Sequence, residues 1–145
     1  MTEIERKFLL EELPDNLPIS SEDGIEQGYL AIGDDQVRLR KRGDRHLITV
    51  KRGHGMVRQE VEVPLAQESF EQLWPLTEGR RLEKTRLTTS IGEHTAEIDV
   101  YQGPLAGLKT VEVEFFDLAD AEAFSPPPWF ARELTGDGRY SNTRL

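Results

Sequence analysis

Residues 2–10 read TEIERKFLL, and the way this stretch is read decides the fold. Glu3, Glu5 and Lys7 fall on alternate positions, with Ile4 and Phe8 on the others. In a β-strand side chains alternate between two faces, so the three charges line one face and the apolar residues the other. A row of carboxylate, carboxylate and ammonium on one face of a strand needs a reason.

The same alternation recurs along the chain with turn signals between the runs. It is seen in IEQGYLAI (25–32), QVRLRKRG (36–43), RHLITVKR (45–52), MVRQEVEV (56–63), RRLEKTRLTTSI (80–91), HTAEIDVYQ (94–102) and KTVEVEFFD (109–117). Gly43-Asp44 and Gly92-Glu93 mark hairpin turns. Two stretches break the period. In AQESFEQLWPL (66–76), Phe70, Leu73 and Trp74 stand at i, i+3 and i+4, which predicts a short helix. DLADAEAF (117–124) predicts a second, stopped by Pro126-Pro127-Pro128. The tail from Trp129 is expected to open as a short helix and loosen around Gly136 and Gly138. The expected class is mainly β (α+β): an eight-stranded antiparallel barrel or strongly curved sheet with a few covering helices.

Sorting each strand by face sharpens this. One face carries Glu3, Glu5, Lys7, Arg38, Arg40, Thr49, Lys51, Arg58, Glu60, Glu62, Lys84, Arg86, Glu97, Asp99, Glu112 and Glu114. The other carries residues such as Ile4, Phe8, Val37, Leu39, Ile48, Val61, Ile98, Val111 and Val113. The run 80–91 is less clean, because Leu82 shares parity with Lys84. A half-exposed sheet with cross-strand ion pairs accounts for any single strand of this kind. It does not account for a face built almost wholly of full charges, with Glu-x-Glu and Arg-x-Arg rows that repel.

Closing the sheet turns the charged face into a lumen. Rows of Arg and Lys suit phosphate oxygens. Rows of Glu and Asp without His or Cys suit a hard divalent cation, Mg²⁺ or Mn²⁺. A polyphosphate bound through metal satisfies both, with Glu3 and Glu5 on the metal and Lys7 on the phosphate.

Bulk composition narrows the classes. The chain has 145 residues, expected to form a single domain over 1–145, and is 37% hydrophobic and 31% charged with a net charge of −9. Nucleic-acid and membrane-surface partners are not expected, since phosphate-backbone binding needs a basic face. No cysteine is present, and the histidines His46, His54 and His94 are scattered, so a zinc site of nitrogen and sulfur ligands is not expected. The first residues are acidic and lack a long apolar run, which argues against a signal peptide or membrane span. The expected location is cytoplasmic.

Glu3-Ile4-Glu5-Arg6-Lys7 resembles the E-x-E-x-K signature of the CYTH superfamily, the triphosphate tunnel metalloenzymes. It is followed in order by Arg38-Leu39-Arg40, Thr49-Val50-Lys51, Glu60-Val61-Glu62, Lys84-Thr85-Arg86, Glu97-Ile98-Asp99 and Glu112-Val113-Glu114, and GDGRYSN (136–142) resembles the family's C-terminal segment. The resemblance implies a tunnel that binds a linear triphosphate with one or two divalent metals. Carried over by position, Glu3, Glu5, Glu112 and Glu114 are metal ligands. Lys7, Arg38, Arg40, Lys51, Lys84 and Arg86 clamp phosphate oxygens, with Arg58 and Arg139 as further members. Tyr29 sits where short bacterial relatives carry a tunnel tyrosine, and equally fits an ordinary strand aromatic. Catalytic roles are expected for Lys7, Lys84, Glu60, Glu62 and Asp99, the last three as acids near a second metal that orient or deprotonate a water, with Glu60 and Glu62 alternatively completing that second-metal region.

The implied reaction is metal-dependent hydrolysis of a terminal phosphoanhydride, with inorganic triphosphate ranked first. Thiamine or nucleoside triphosphate follows, then adenylate cyclisation. A non-catalytic polyphosphate-binding module is the reading from a different class, and the complete set of acidic rows argues against it. Gly103–Thr110 lacks the glycine spacing of a phosphate-binding P-loop. Trp74 and Trp129 are expected to pack on the barrel's outside rather than read a base. The sequence leaves the oligomeric state open, a homodimer included.

Overall fold

The computed structural model describes residues 2–53 and 55–142. The chain forms β1 (Thr2–Leu10), β2 (Ser21–Ala31), β3 (Asp35–Arg42), β4 (Arg45–Arg52), β5 (Val57–Pro64), α1 (Gln67–Leu73) with a 3₁₀ turn at Trp74–Thr77, β6 (Arg81–Ile91), β7 (His94–Tyr101), β8 (Lys109–Glu114) and α2 (Leu118–Ala123). The strands close into an antiparallel barrel in the order β1-β5-β4-β3-β2-β6-β7-β8. The β3–β4 hairpin turns at Gly43, whose φ of 57° is a conformation that side chains disfavour.

Register carries the parity pattern into three dimensions. Lys7 lies opposite Glu112 and Glu5 opposite Glu114 across β1–β8, while Glu3 faces Arg58 across β1–β5. Arg38 pairs with Thr49, Lys51 with Glu60, and Arg86 with Asp99. Paired residues point to the same face, so every charged row is delivered to the interior.

The hydrophobic core therefore lies outside the barrel wall. Phe8, Leu10, Ala96, Ile98, Val111 and Val113 on β1, β7 and β8 are buried beneath Phe115, Ala121 of α2 and Phe130 of the tail. Trp129 packs edge-on against Phe130 at 4.7 Å on this side, while elsewhere on the barrel Phe70 of α1 stacks on Trp74 at 5.2 Å. Both tryptophans are thus packing residues. At Gly28 a Cβ would come within 2.6 Å of Thr77, so only glycine lets β2 approach the 3₁₀ turn this closely.

Three features depart from the sequence expectations. β2 begins at Ser21, since the polar stretch Ser21–Gly24 pairs with β6 without any apolar alternation to announce it. The tail does not open as a helix at Trp129, and its short 3₁₀ turn comes later, at Gly138–Tyr140. The β1–β5 ladder covers only Thr2–Ile4, which leaves the next part of that edge of β1 unpaired. Residues 131–134 fill it: Leu9 N donates to Arg132 O (2.8 Å), Ala131 N to Leu9 O (2.8 Å) and Leu134 N to Lys7 O (2.7 Å). Finally, apart from His46 under Phe70 of α1, the outer face of β4–β5 lies open among the described residues: Val50, Val57, Val61 and Val63 are all exposed. Among the described residues no helix is long and apolar enough to cross a membrane.

Candidate active site

The lumen is formed by two adjoining chambers that share Glu5, Arg38, Lys51, Glu112 and Asn142. The inner one has a volume of about 220 Å³ and is lined by charged side chains with Asn142 as the one exception. The outer one opens past Lys7, Tyr29, Arg58, Leu134 and Tyr140.

Carboxylates face each other in the inner chamber. Glu3 faces Glu60, Glu5 faces Glu112 and Glu97 faces Glu114, each pair close enough to share a proton. Burial, reinforced by these partners, raises Glu3 to about 8, Glu114 to about 7 and Glu5 well above the usual range. Burial pushes Glu60 and Glu112 the same way but loses. The Glu3 hydrogen bond and Lys51 hold Glu60 down, while Lys7, Arg86 and Lys51 hold Glu112 well below its ordinary value. Glu3 Oε1 is buried with no hydrogen-bond partner among the described residues. Paired carboxyls that must share protons, beside an orphaned carboxylate oxygen, are hard oxygen donors suited to a divalent cation. Among the described residues no group of three such side chains already stands in ligating geometry, so binding requires the pairs to part.

The cations are held in a graded set of contacts. Arg38 reaches Glu60 at 3.3 Å and Glu62 at 3.4 Å, and Thr49 Oγ1 donates to Glu62 at 2.7 Å. Lys51 lies 3.7 Å from Glu60, and Lys7 4.0 Å from Glu112. Lys7 Nζ also donates to the Tyr140 carbonyl at 2.8 Å, which brings the C-terminal segment to the tunnel mouth. Arg86 makes a two-pronged bond to Asp99 (2.8 and 3.0 Å) and reaches Glu97 at 3.1 Å. Burial presses Arg40 down to about 9, with Arg38 and Arg86 adding to the effect.

Lys84 and Asp99 line neither chamber. They form an ion pair of 2.7 Å, 0% and 1% exposed, with Lys84 over the Tyr101 ring at 5.4 Å. Burial pulls Lys84 well below its usual value despite Asp99. Burial opposes ionisation of Asp99, but Lys84 and Arg86 outweigh it and hold Asp99 below the usual range.

Of the residues singled out from the sequence, Glu3, Glu5, Glu60, Glu62, Glu112, Glu114, Lys7, Arg38, Arg40, Lys51, Arg58, Arg86 and Tyr29 line the two chambers. Arg139 does not join them. Its side chain is 70% exposed and pairs with Asp137 at 2.8 Å, because the two-residue spacing inside the tail turn lets it satisfy itself locally. His46 packs on Phe70 and His94 pairs with Asp120, both outside the barrel, while His54 lies outside the described residues. Sequence reasoning missed Arg42, Gln27 and Asn142 as parts of this interior. Arg42 simply continues the 38–40 row; the others carry no charge and so left no mark in a charge-based sorting.

The family model described as the CYTH domain matches residues 1–137. The chain is 45% identical over 152 residues to an inorganic triphosphatase of Nitrosomonas europaea, an alignment spanning 100% of this chain and 97% of that protein. It is 34% identical over 149 residues to an inorganic triphosphatase of Acetivibrio thermocellus, spanning 99% and 92%. The crystal structure of an inorganic triphosphatase superposes with a TM-score of 0.74 at 43% identity, covering 100% of this chain and 94% of that one.

Proposed function

The chain belongs to the CYTH domain family, and on that premise we propose that it hydrolyses the terminal phosphoanhydride of inorganic triphosphate with Mg²⁺ or Mn²⁺. The observation that carries this reading is the inner chamber, whose lining is charged throughout except for Asn142. A bare phosphate chain satisfies such a wall; a ring system does not. The cytoplasmic location expected from the sequence belongs to the same proposal.

Glu3, Glu5, Glu112 and Glu114 would hold the cation, with Glu60 facing Glu3 from β5. When bound, the cation supplies charge neutralisation at phosphate oxygens and lowers the pKa of water. The remaining work falls to this chain's own side chains. Arg38, Arg40, Arg86, Lys51 and Lys7 present N–H donors that neutralise the charge carried by the phosphoryl oxygens as the terminal bond breaks. Lys7 must release the Tyr140 carbonyl to do so. Glu62 accepts from Thr49 and Arg38 on one oxygen and keeps the other clear of any described partner, which suits it to orient a water. Asp99 is reassigned on the same reasoning. Both its oxygens are engaged by Arg86 and one also by Lys84, so it anchors cations rather than orienting water. Arg139, exposed and paired with Asp137 at the edge of the outer chamber, is given no role in the scheme.

Tyr29, Leu134 and Tyr140 give the outer chamber a less polar wall, and this favours thiamine or nucleoside triphosphate as the second reading. Phosphate release from inorganic triphosphate, ATP and thiamine triphosphate, each with Mg²⁺, Mn²⁺ or EDTA, separates the readings. Metal-dependent release fastest from inorganic triphosphate is expected. Faster release from either organic triphosphate would transfer the assignment to it, and release from none would leave a binding module.

A further inference from the structure

Gln27 is fully buried in the barrel interior and carries no charge. It lies opposite Arg40 in the β2–β3 ladder, and Tyr29 follows it on the same face. Its side-chain oxygen accepts from Arg40 Nη2 at 2.7 Å and from Arg40 Nε at 3.1 Å. Its nitrogen lies 3.2 Å from the Tyr29 hydroxyl.

These contacts fix the amide without ambiguity. Arginine only donates, so the oxygen must face Arg40 and the NH₂ must face Tyr29. Tyr29 Oη is therefore the acceptor, and its own proton points elsewhere. No described residue accepts that proton, and Tyr29 lines the outer chamber with Lys7, Arg38 and Lys51.

The choice of a neutral partner for Arg40 matters as much as its geometry. Arg38 and Arg86 are each paired with carboxylates, whereas Arg40 forms no ion pair among the described residues. Gln27 holds two of the guanidinium nitrogens without cancelling the charge and leaves Nη1 uncommitted. A glutamate of the same size would do the opposite. It would neutralise Arg40, and its second oxygen would take the Tyr29 proton inward.

We propose that Gln27 is a positioning residue for the substrate: it fixes Arg40 as a fully charged clamp and turns the Tyr29 hydroxyl proton toward a phosphate oxygen in the tunnel. The inference rests on the triphosphatase reading above.

The test is Gln27→Glu, with Tyr29→Phe made in both the parent and the Gln27→Glu background. Gln27→Glu is expected to keep or raise the melting temperature, since it adds an ion pair to Arg40. It is expected to raise KM for inorganic triphosphate at least tenfold, with a smaller effect on kcat. Tyr29→Phe should cost activity in the parent and almost nothing further in Gln27→Glu, because there the hydroxyl proton is already turned away. An unchanged KM in Gln27→Glu, or an equal cost of Tyr29→Phe in both backgrounds, would overturn the proposal. Gln27→Met removes both bonds at similar length and should shift KM in the same direction; it reads the role if the glutamate variant does not fold. Calorimetric binding of triphosphate with Mg²⁺ gives the same comparison as Kd. A parent protein that binds but does not turn over would thus defeat the hydrolase reading while leaving Gln27 testable.

Discussion

Replacing Asp99 by asparagine removes a carboxylate that is paired with two buried cations. Lys84 lies 2.7 Å from it and Arg86 grips it at 2.8 and 3.0 Å, with Lys84 and Asp99 essentially inaccessible to water. Breaking a buried pair by deleting one partner costs about 3–5 kcal/mol, because the remaining charge is stranded. Two features bring the cost to the low end. Burial already pulls Lys84 well below its usual value, so loss of Asp99 further favours its neutral form over a stranded charge. Arg86 retains Glu97 at 3.1 Å. We therefore expect a loss of about 3 kcal/mol, which at roughly 2–4 °C per kcal/mol for a chain of this size lowers the unfolding midpoint by about 6–12 °C. Thermal unfolding of the metal-free and ligand-free protein at neutral pH reads this directly. Asp35→Asn, which breaks a solvent-exposed pair with Arg52 at 2.7 Å, serves as the control and should leave the midpoint unchanged within error. An Asp99→Asn midpoint within about 2 °C of the parent would refute the anchoring role and return Asp99 to the candidates for orienting water.

Glu5→Gln should abolish metal-dependent turnover, by roughly 100-fold or more given that even outer-shell changes cost 10–100-fold. Its metal-free melting temperature should stay level or rise, as the contact with Glu112 loses a carboxyl; retained activity in a steady-state assay removes Glu5 from the site. Metal binding should also depend on pH with a defined sign. Glu3 is raised to about 8 by burial and its bond to Glu60, so a cation must displace a proton at lower pH. Calorimetric affinity for Mg²⁺ should climb from about pH 6 to about pH 8 with proton release, then level off, and a flat profile contradicts the carboxyl-pair assignment. The same raised group contributes stability that is present below its unfolded value of 4.5 and lost as pH rises through about 8, so the metal-free protein loses that contribution across this window.

The barrel and its charged rows were legible because charge writes a period of two into every strand, from Glu3-Glu5-Lys7 to Glu112-Glu114. What the period could not carry was anything uncharged. Gln27 sits in the interior against Arg40, yet nothing local separates a lumen glutamine from a solvent-facing one. Ser21–Gly24 became strand through pairing with β6, a tertiary partner that its own composition does not suggest. The tail misled for a similar reason. Residues 129–135 have tolerable helix formers, but the open edge of β1 beyond Ile4 offers backbone partners, and Phe130 gains a contact with Phe8 at 4.9 Å. Arg139 looked like a tunnel cation by motif, whereas an aspartate two residues away decides its position.

The central claim is that the lumen carboxylates and cations together hold a metal-bound triphosphate. Crystals grown with Mn²⁺ and a non-hydrolysable triphosphate analogue test it through the anomalous signal of manganese. The account predicts a manganese peak within coordination distance of Glu3 and Glu5, with analogue oxygens against Arg38, Arg40 and Arg86. Manganese and analogue bound only on the outer surface, with the Glu5–Glu112 pair still closed, would contradict it.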